Sequence, residues 1–420
     1  MNLSILTAGS RGDVQPYIAL GQALQNAGHT VRIATFANFK TLVESSGLEH
    51  FPVRGDVVQV SRSHIGREAM SPDNPLKVIV SFNQLKRLVG DLQQDFFSAC
   101  AGVDAVIYHP GAAIGYFIAQ EKQIPSILAT PYAFTPTSDY PSLLFYHMPR
   151  LGKAYNTLTH RIQAQIFWST ASQAIADYWK GQFGHLPSHF GSPFSRPTTQ
   201  RDPTIISYSQ HVFPRPSGWP EHVHITGYWF LEEEAGWQAP QGLLDFLQAG
   251  KPPVYVGFGS VGDATLAEQK TRLVVDALKQ SGQRGVLASG WNAMTKIGDL
   301  PDTIYMIESA PHSWLFPRMA AVVHHGGAGT TAAGFRAGVP SIILPFGNDQ
   351  FAWGLRAFEL GVGPRPVSQK RLTAEALSGA ITAALKPQVL AAANALGEKI
   401  RQERGVETAV EVIGRSWDSA

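Results

Sequence analysis

Two α/β domains, each a parallel sheet wound with helices on both faces, are what this sequence predicts. Three observations carry the prediction. The chain has 420 residues, roughly twice what one ordinary domain needs. Short apolar strand-like runs alternate with helix-like runs from residue 3 onward, the pattern of βαβ units. The same alternation restarts at residue 253, beyond a stretch rich in proline, tryptophan and glycine.

In the first half, residues 3–8 read as a strand, and residues 17–27 as a helix with Ile18, Leu20, Gly21 and Leu24 on one face and Gly28 closing it. Residues 30–35, 104–108 and 124–129 repeat the strand pattern. In the second half, residues 253–258 form a strand ending in Gly259-Ser260, and residues 267–280 a helix closed by Ser281-Gly282. Strands follow at 285–289, 303–307, 320–324 and 341–345, with helices at 329–337 and 351–360. The boundaries expected are an N-terminal domain over 1–215, a linker over 216–240 and a C-terminal domain over 241–396. The acidic run Glu232-Glu233-Glu234 in the linker reads as solvated surface.

Hydrophobic residues make up 44% and charged residues 16%, which supports a large core and argues against disorder. The formal net charge of +2, with no long basic run, gives no reason to expect nucleic acid. The single cysteine, Cys100, rules out an internal disulfide framework and a cysteine-rich zinc site, and reads as a small buried apolar residue. The apolar start of the chain is too short for a secretory signal and has no basic residues before it. No run approaches the ~20 apolar residues that span a bilayer. A soluble, cytoplasmic protein is expected, with attachment to a membrane surface left open.

In open α/β sheets ligands bind at the carboxyl ends of strands, near helix N-termini. Three segments meet that rule. His324-His325-Gly326-Gly327-Ala328-Gly329-Thr330-Thr331 follows a strand and opens a helix. Its glycines let backbone approach a ligand, and the helix N-terminus offers N–H groups to an anion. Either threonine could cap the helix or donate to a phosphate oxygen. Gly259-Ser260 ends a neighbouring strand. Gly9-Ser10-Arg11-Gly12-Asp13-Val14-Gln15-Pro16 lies in the other domain and lacks the dinucleotide-fingerprint spacing. Asp13 there is either a helix N-terminal cap or a functional carboxylate.

The segment PHSWLFP at 311–317 with VVHHGGAGTTAAGFRAGVPSIILPFGNDQ at 322–350 resembles the nucleotide-sugar motif of family 1 glycosyltransferases. It is most similar to the sterol glucosyltransferase branch and to bacterial antibiotic and natural-product glycosyltransferases. GSRGDVQP at 9–16 resembles the N-terminal loop of the same branch. The resemblance implies the GT-B fold, two facing Rossmann-like domains, with residues 397–420 as a helix crossing back to the N-terminal domain. It implies that Asp13 is the general base. It implies that Ser260, His325, Gly327, Gly329 and Thr330 hold the donor diphosphate, and that Asp349 and Gln350 bind the sugar hydroxyls. Plant relatives carry a ribose-binding glutamate where this chain has Ala333 and a stacking tryptophan where it has Ser309. The donor nucleotide therefore stays open between UDP and dTDP, and Trp291 is a candidate for base stacking. No counterpart of the membrane-binding modules of the fungal sterol enzymes is expected here.

The reaction so implied is an inverting transfer of a hexose, with glucose expected, from a UDP- or dTDP-sugar to a lipophilic alcohol. No cofactor is expected beyond that donor substrate. No Asp-x-Asp triplet occurs anywhere in the sequence, so no metal ligands are expected. Aromatic residues from Tyr132 and Phe134 through Tyr140, Phe145, Tyr146, Phe167 and Trp168 line either an apolar acceptor pocket or a core. His109, at a strand end, is an acceptor-binding candidate with Tyr132 and Phe134. Readings from other classes are a nucleotide-sugar epimerase and a non-catalytic nucleotide-sugar-binding protein. Oligomeric state is not legible in the sequence.

Overall fold

The computed structural model describes residues 1–55, 90–232, 237–258, 267–290, 294–295, 297–298, 300–347 and 349–417. Two compact units divide the chain. Unit 1 comprises Met1–Leu231 and Glu403–Ala420, and unit 2 comprises Glu232–Gln402.

Unit 1 opens with β1 (Asn2–Leu6), α1 (Arg11–Asn26), β2 (Thr30–Phe36), α2 (Lys40–Ser45) and β3 (Glu49–Val53). Then come α3 (Gly90–Ala99), β4 (Ala105–Tyr108), α4 (Ile114–Lys122), β5 (Ser126–Thr130), α5 (Lys153–Phe183), β6 (Thr204–Ile206) and β7 (Val223–Ile225). The seven strands form one sheet in the order β3-β2-β1-β4-β5-β6-β7, with every pairing parallel. Strand side chains alternate faces. Leu3, Ile5, Ile107, Ile127 and Ala129 therefore enter one core with α1, while Leu6, Val106, Tyr108 and Leu128 enter the other with α3, α4 and α5. Helices cover both faces, which is why these strands read as continuous apolar runs. Cys100 is fully buried in the second of these cores, and burial pushes its thiol up to about 12, so it is an inert packing residue.

α1 begins at Arg11, six residues before the helix start read from the sequence. Pro16 lies inside it. Proline removes one ladder bond, here to the carbonyl of exposed Gly12, where water can substitute. Ser10 and Asp13 form a reciprocal capping box that secures the first turn regardless.

α5 was not legible as a helix because its buried face is partly polar: Asn156, Thr159, His160 and Gln163 are all buried. These groups hold the loop after β5. The Gln163 amide donates to the Ala133 carbonyl at 3.2 Å, and His160 Nε2 lies 3.1 Å from the Tyr140 carbonyl. Burial lowers the His160 pKa to about 4, against about 6.5 in an unfolded chain. Between those values the unfolded state binds a proton that the native state does not, so stability falls as pH falls from 6.5 towards 4. At ~1.4 kcal/mol per unit the loss from His160 approaches about 3 kcal/mol. Thermal melts of wild type and His160→Gln should converge as pH drops from 7 to 4.5. Parallel curves would show that His160 carries no such penalty.

Unit 2 contains α6 (Gln241–Gln248), β8 (Val254–Gly257), α7 (Ala267–Gln280), β9 (Gly285–Ala288), β10 (Ile304–Ile307) and α8 (His312–Leu315). It continues with β11 (Ala321–His324), α9 (Ala328–Ala337), β12 (Ser341–Ile343), α10 (Gln350–Glu359), α11 (Ala374–Ala384) and α12 (Pro387–Gln402). Its five strands are parallel in the order β10-β9-β8-β11-β12. One core gathers Val254, Val256, Leu278, Val323 and Ile381, and the other Tyr255, Val286, Phe316 and Val322. Both units are thus doubly wound α/β structures, as the sequence predicts.

The unit boundaries differ from the expected ones. The presumed linker over 216–240 contributes β7 to unit 1, and Trp229 is 3% exposed in its core, with Nε1 donating to Thr226 Oγ1 at 2.9 Å. Its prolines and glycines end an edge strand rather than separate two domains. The crossing also falls later than residue 397, because α12 belongs to unit 2 through Gln402. The last helix, α13 (Gly405–Trp417), packs on α1 and buries Ala409, Val412, Ile413 and Trp417 in the unit 1 core. Its entry needs a glycine: a Cβ on Gly405 would lie 2.2 Å from the Tyr228 carbonyl oxygen. Among the described residues no single helix is long and apolar enough to cross a membrane.

Candidate active site

Each sheet reverses its winding between two neighbouring strands, β1 and β4 in unit 1 and β8 and β11 in unit 2. Ligands of doubly wound sheets bind outside the carboxyl ends of such a pair. The motif residues occupy these two edges.

In unit 1, β1 and β4 run in register with Leu6 opposite Tyr108. The residues that follow each strand are therefore neighbours. The His109 N–H donates to the Leu6 carbonyl at 2.9 Å. Asp13 sits in the first turn of α1, with its side chain 31% exposed. Its Oδ2 accepts from the Ser10 N–H at 2.7 Å and from the Ser10 hydroxyl at 2.9 Å. Gly9, at φ 149°, leaves the necessary space, since a Cβ there would lie 2.3 Å from Oδ2. Asp13 Oδ1 faces His109 Nε2 at 3.6 Å.

His109 is only 4% exposed, with its ring beside Asp13. Its Nδ1 accepts the Gly111 N–H at 3.0 Å, and the edge of the Tyr17 ring packs against it with centroids 5.6 Å apart. Burial lowers its pKa, only partly offset by Asp13, and the ring is neutral at pH 7. Phe134 is placed in the core. It is 1% exposed and stacks on Phe194 at 4.5 Å within the core, in the loop that follows β5. Tyr132 stays half-buried, edge-on to Phe134 at 5.5 Å, and is the one of the three acceptor candidates placed at a surface.

In unit 2, β11 ends at His324, which is fully buried, with Nδ1 accepting the Gly326 N–H at 3.1 Å. Gly326 turns the chain at φ 93°, where a Cβ would meet Ile343 at 2.7 Å. Half-buried His325 then lies across the start of α9: a Cβ on Gly327 would come within 2.6 Å of His325 Nε2. Gly327 is the helix N-cap and has no side-chain cap, so the first-turn N–H groups stay available to an anion. Gly329 is exposed and Thr330 half-buried at that end. Thr331 turns inward, its hydroxyl donating to the Gly327 carbonyl at 2.9 Å, which removes it as a phosphate donor. Burial pushes the His325 pKa down to about 4, so this residue is a neutral hydrogen-bonding group at pH 7.

Asp349 and Gln350 open α10, next to the same turn. The Gln350 backbone carbonyl packs within 3.1 Å of where a Gly326 Cβ would be. Gln350 Oε1 accepts the Phe346 N–H at 2.8 Å, which leaves the amide NH2 as its outward donor. Asp349 Oδ2 accepts Trp353 Nε1 at 2.9 Å, fixing the carboxylate. Ala333 is half-buried against the core and Ser309 is exposed. Ser260 and Trp291 lie outside the described residues. Among the described residues no group of three or more His, Cys, Asp or Glu could hold a metal ion.

This geometry belongs to a known class. Residues 3–141 match the Glycosyltransferase family 28 N-terminal domain, and residues 272–414 the Erythromycin biosynthesis protein CIII-like C-terminal domain. The solved glycotransferase of kitacinnamycin superposes with a TM-score of 0.73 at 18% identity, covering 99% of this chain and 98% of that one. The calicheamicin glycosyltransferase CalG4 gives 0.71 at 18% identity, with 99% and 98% covered. The fold is therefore that of the GT-B glycosyltransferases. A sterol 3-beta-glucosyltransferase of Arabidopsis thaliana is 34% identical over 99% of this chain and 68% of its own length. One from Emericella nidulans is 36% identical over 100% of this chain, which spans only 30% of that relative. The chain belongs to the family of these sterol 3-beta-glucosyltransferases.

Proposed function

We propose that the chain transfers a hexose, with glucose the expected sugar, from a nucleoside diphosphate sugar to the hydroxyl of a lipophilic acceptor such as a sterol. One observation carries the reading. The two sheet edges at which doubly wound folds bind ligands hold a partly exposed carboxylate in unit 1 and an uncapped helix N-terminus under a neutral histidine in unit 2.

Unit 1 then binds the acceptor and supplies Asp13 as general base, and unit 2 binds the donor. Asp13 takes the hydroxyl proton as the acceptor oxygen attacks the anomeric carbon. Proton transfer is late, when bond formation has acidified the hydroxyl. The leaving diphosphate gains charge, and His325, the α9 N–H groups and the helix dipole stabilise it. Asp349 and Gln350 orient the sugar. One displacement inverts the anomeric centre. A homologous fold, that of the Streptomyces glycosyltransferase SsfS6, was solved with thymidine diphosphate, which keeps dTDP beside UDP as the donor nucleotide. A cytoplasmic enzyme touching a membrane surface to reach its acceptor goes with this reading.

The test is nucleotide release from UDP-glucose and dTDP-glucose, with and without a sterol or a polyketide alcohol, in EDTA. Acceptor-dependent release and a β-linked product from an α-linked donor are expected. Equal release with and without acceptor would instead indicate an epimerase or hydrolase. No release, with donor still bound, would indicate a binding protein.

A further inference from the structure

The Asp13 carboxylate is gripped unequally. Oδ2 receives two donors from Ser10, which engages both of its lone pairs. Oδ1 faces His109 Nε2 at 3.6 Å. The imidazole is held in one orientation by the Gly111 N–H on Nδ1 and by the Tyr17 edge. Tyr17 is itself anchored across the sheet, its hydroxyl donating to the Ala129 carbonyl at 2.6 Å. There is no slack behind the ring: a Cβ on Gly111 would lie 3.1 Å from His109 Nδ1 and 2.9 Å from the Ala8 carbonyl oxygen.

We infer that His109 is a positioning residue whose Nε2–H fixes Asp13 Oδ1 as the proton-accepting atom of the site. The inference rests on the reading of Asp13 as base. Because Nδ1 accepts a backbone N–H, the proton of the neutral ring must sit on Nε2 and points at Oδ1. His109 Nε2 is buried and has no hydrogen bond at this distance, so a shift of a few tenths of an ångström closes the contact with a clear gain. One lone pair of Oδ1 then faces His109 and the other is left for the acceptor hydroxyl. The same tautomer forbids a relay. A proton passed on to the ring could only enter at Nδ1, against the Gly111 N–H. His109 therefore holds and polarises the carboxylate without becoming the base. The titratable group that packs against the pair is Tyr17 from α1, edge-on to the His109 ring. Tyr17 is neutral, its hydroxyl pushed well up by burial and secondarily by Asp13.

His109→Phe and His109→Gln test this in the intact chain and in the Asp13→Asn background. Two readouts are used: the pH profile of kcat/KM, and the ¹³C titration of the Asp13 carboxyl carbon. His109→Phe should lower kcat/KM by about tenfold or more with donor affinity unchanged, and the acid limb should move up by at least half a pH unit. His109→Gln keeps an N–H donor and should restore the limb. The carbon titration should follow the same order, and His109→Phe should have no further effect on an Asp13→Asn enzyme. His109→Met serves the same comparison if the phenyl ring is not accommodated. An acid limb and a carbon titration that stay in place in both apolar variants overturn the proposal, however far the rate falls. If Asp13→Asn remains active, the base reading fails, and the carbon titration alone decides whether His109 sets the ionisation of Asp13.

Discussion

Asp13→Asn should lower kcat by about 10²–10⁴-fold while leaving donor affinity nearly unchanged, the usual cost of losing a general base. The substitution is close to isosteric. The amide oxygen can still accept from the Ser10 N–H and hydroxyl, so the capping box and the start of α1 persist. What disappears is the basic lone pair beside His109. Steady-state rates with saturating donor, together with calorimetric titration of UDP-glucose, separate the two effects. A fall in kcat smaller than about tenfold with unchanged donor binding would remove Asp13 from the base role.

His325→Ala should weaken donor binding and turnover together, by about 10²–10³-fold in kcat/KM, the range seen when one donor to a developing negative charge is removed. The ring lies over Gly327, at the mouth of an uncapped helix N-terminus, and burial keeps it neutral. Its contribution is therefore a directed N–H rather than a formal charge, and it grows as the diphosphate takes on the leaving electron pair. His325→Gln, which keeps a donor, should recover part of the loss. A variant whose KM and kcat both stay within about threefold of wild type, at unchanged melting temperature, would show that the helix dipole and backbone N–H groups suffice.

Much of the fold is legible because parallel strands covered on both faces must be apolar. β1 and β11 each end in a glycine-bearing turn that announces the next helix. The missed elements break that rule. β6 and β7 are three residues long, and β7 forms the sheet edge. α5 turns Asn156, Thr159 and His160 inward, so its apolar period is blurred. Pro16 hides the true start of α1. Within the site, Asp13, His325 and the Asp349-Gln350 pair stand out as local motifs. The link from His109 to Asp13 does not, because only the register of β1 with β4 makes them neighbours. Phe134 and Tyr132 carry the same aromatic signal, and sequence alone has no means of telling which one the loop after β5 turns into the core.

The return of α13 to unit 1 has a consequence for how the polypeptide matures on the ribosome. Unit 2 is contiguous and complete once Gln402 has emerged, whereas unit 1 still lacks Ala409, Val412, Ile413 and Trp417 from beside α1. The half made first therefore closes last, and until then it exposes an apolar groove along α1 that invites aggregation or chaperone capture. A released chain truncated after Gln402 should yield a protease-resistant unit 2 attached to a protease-sensitive unit 1.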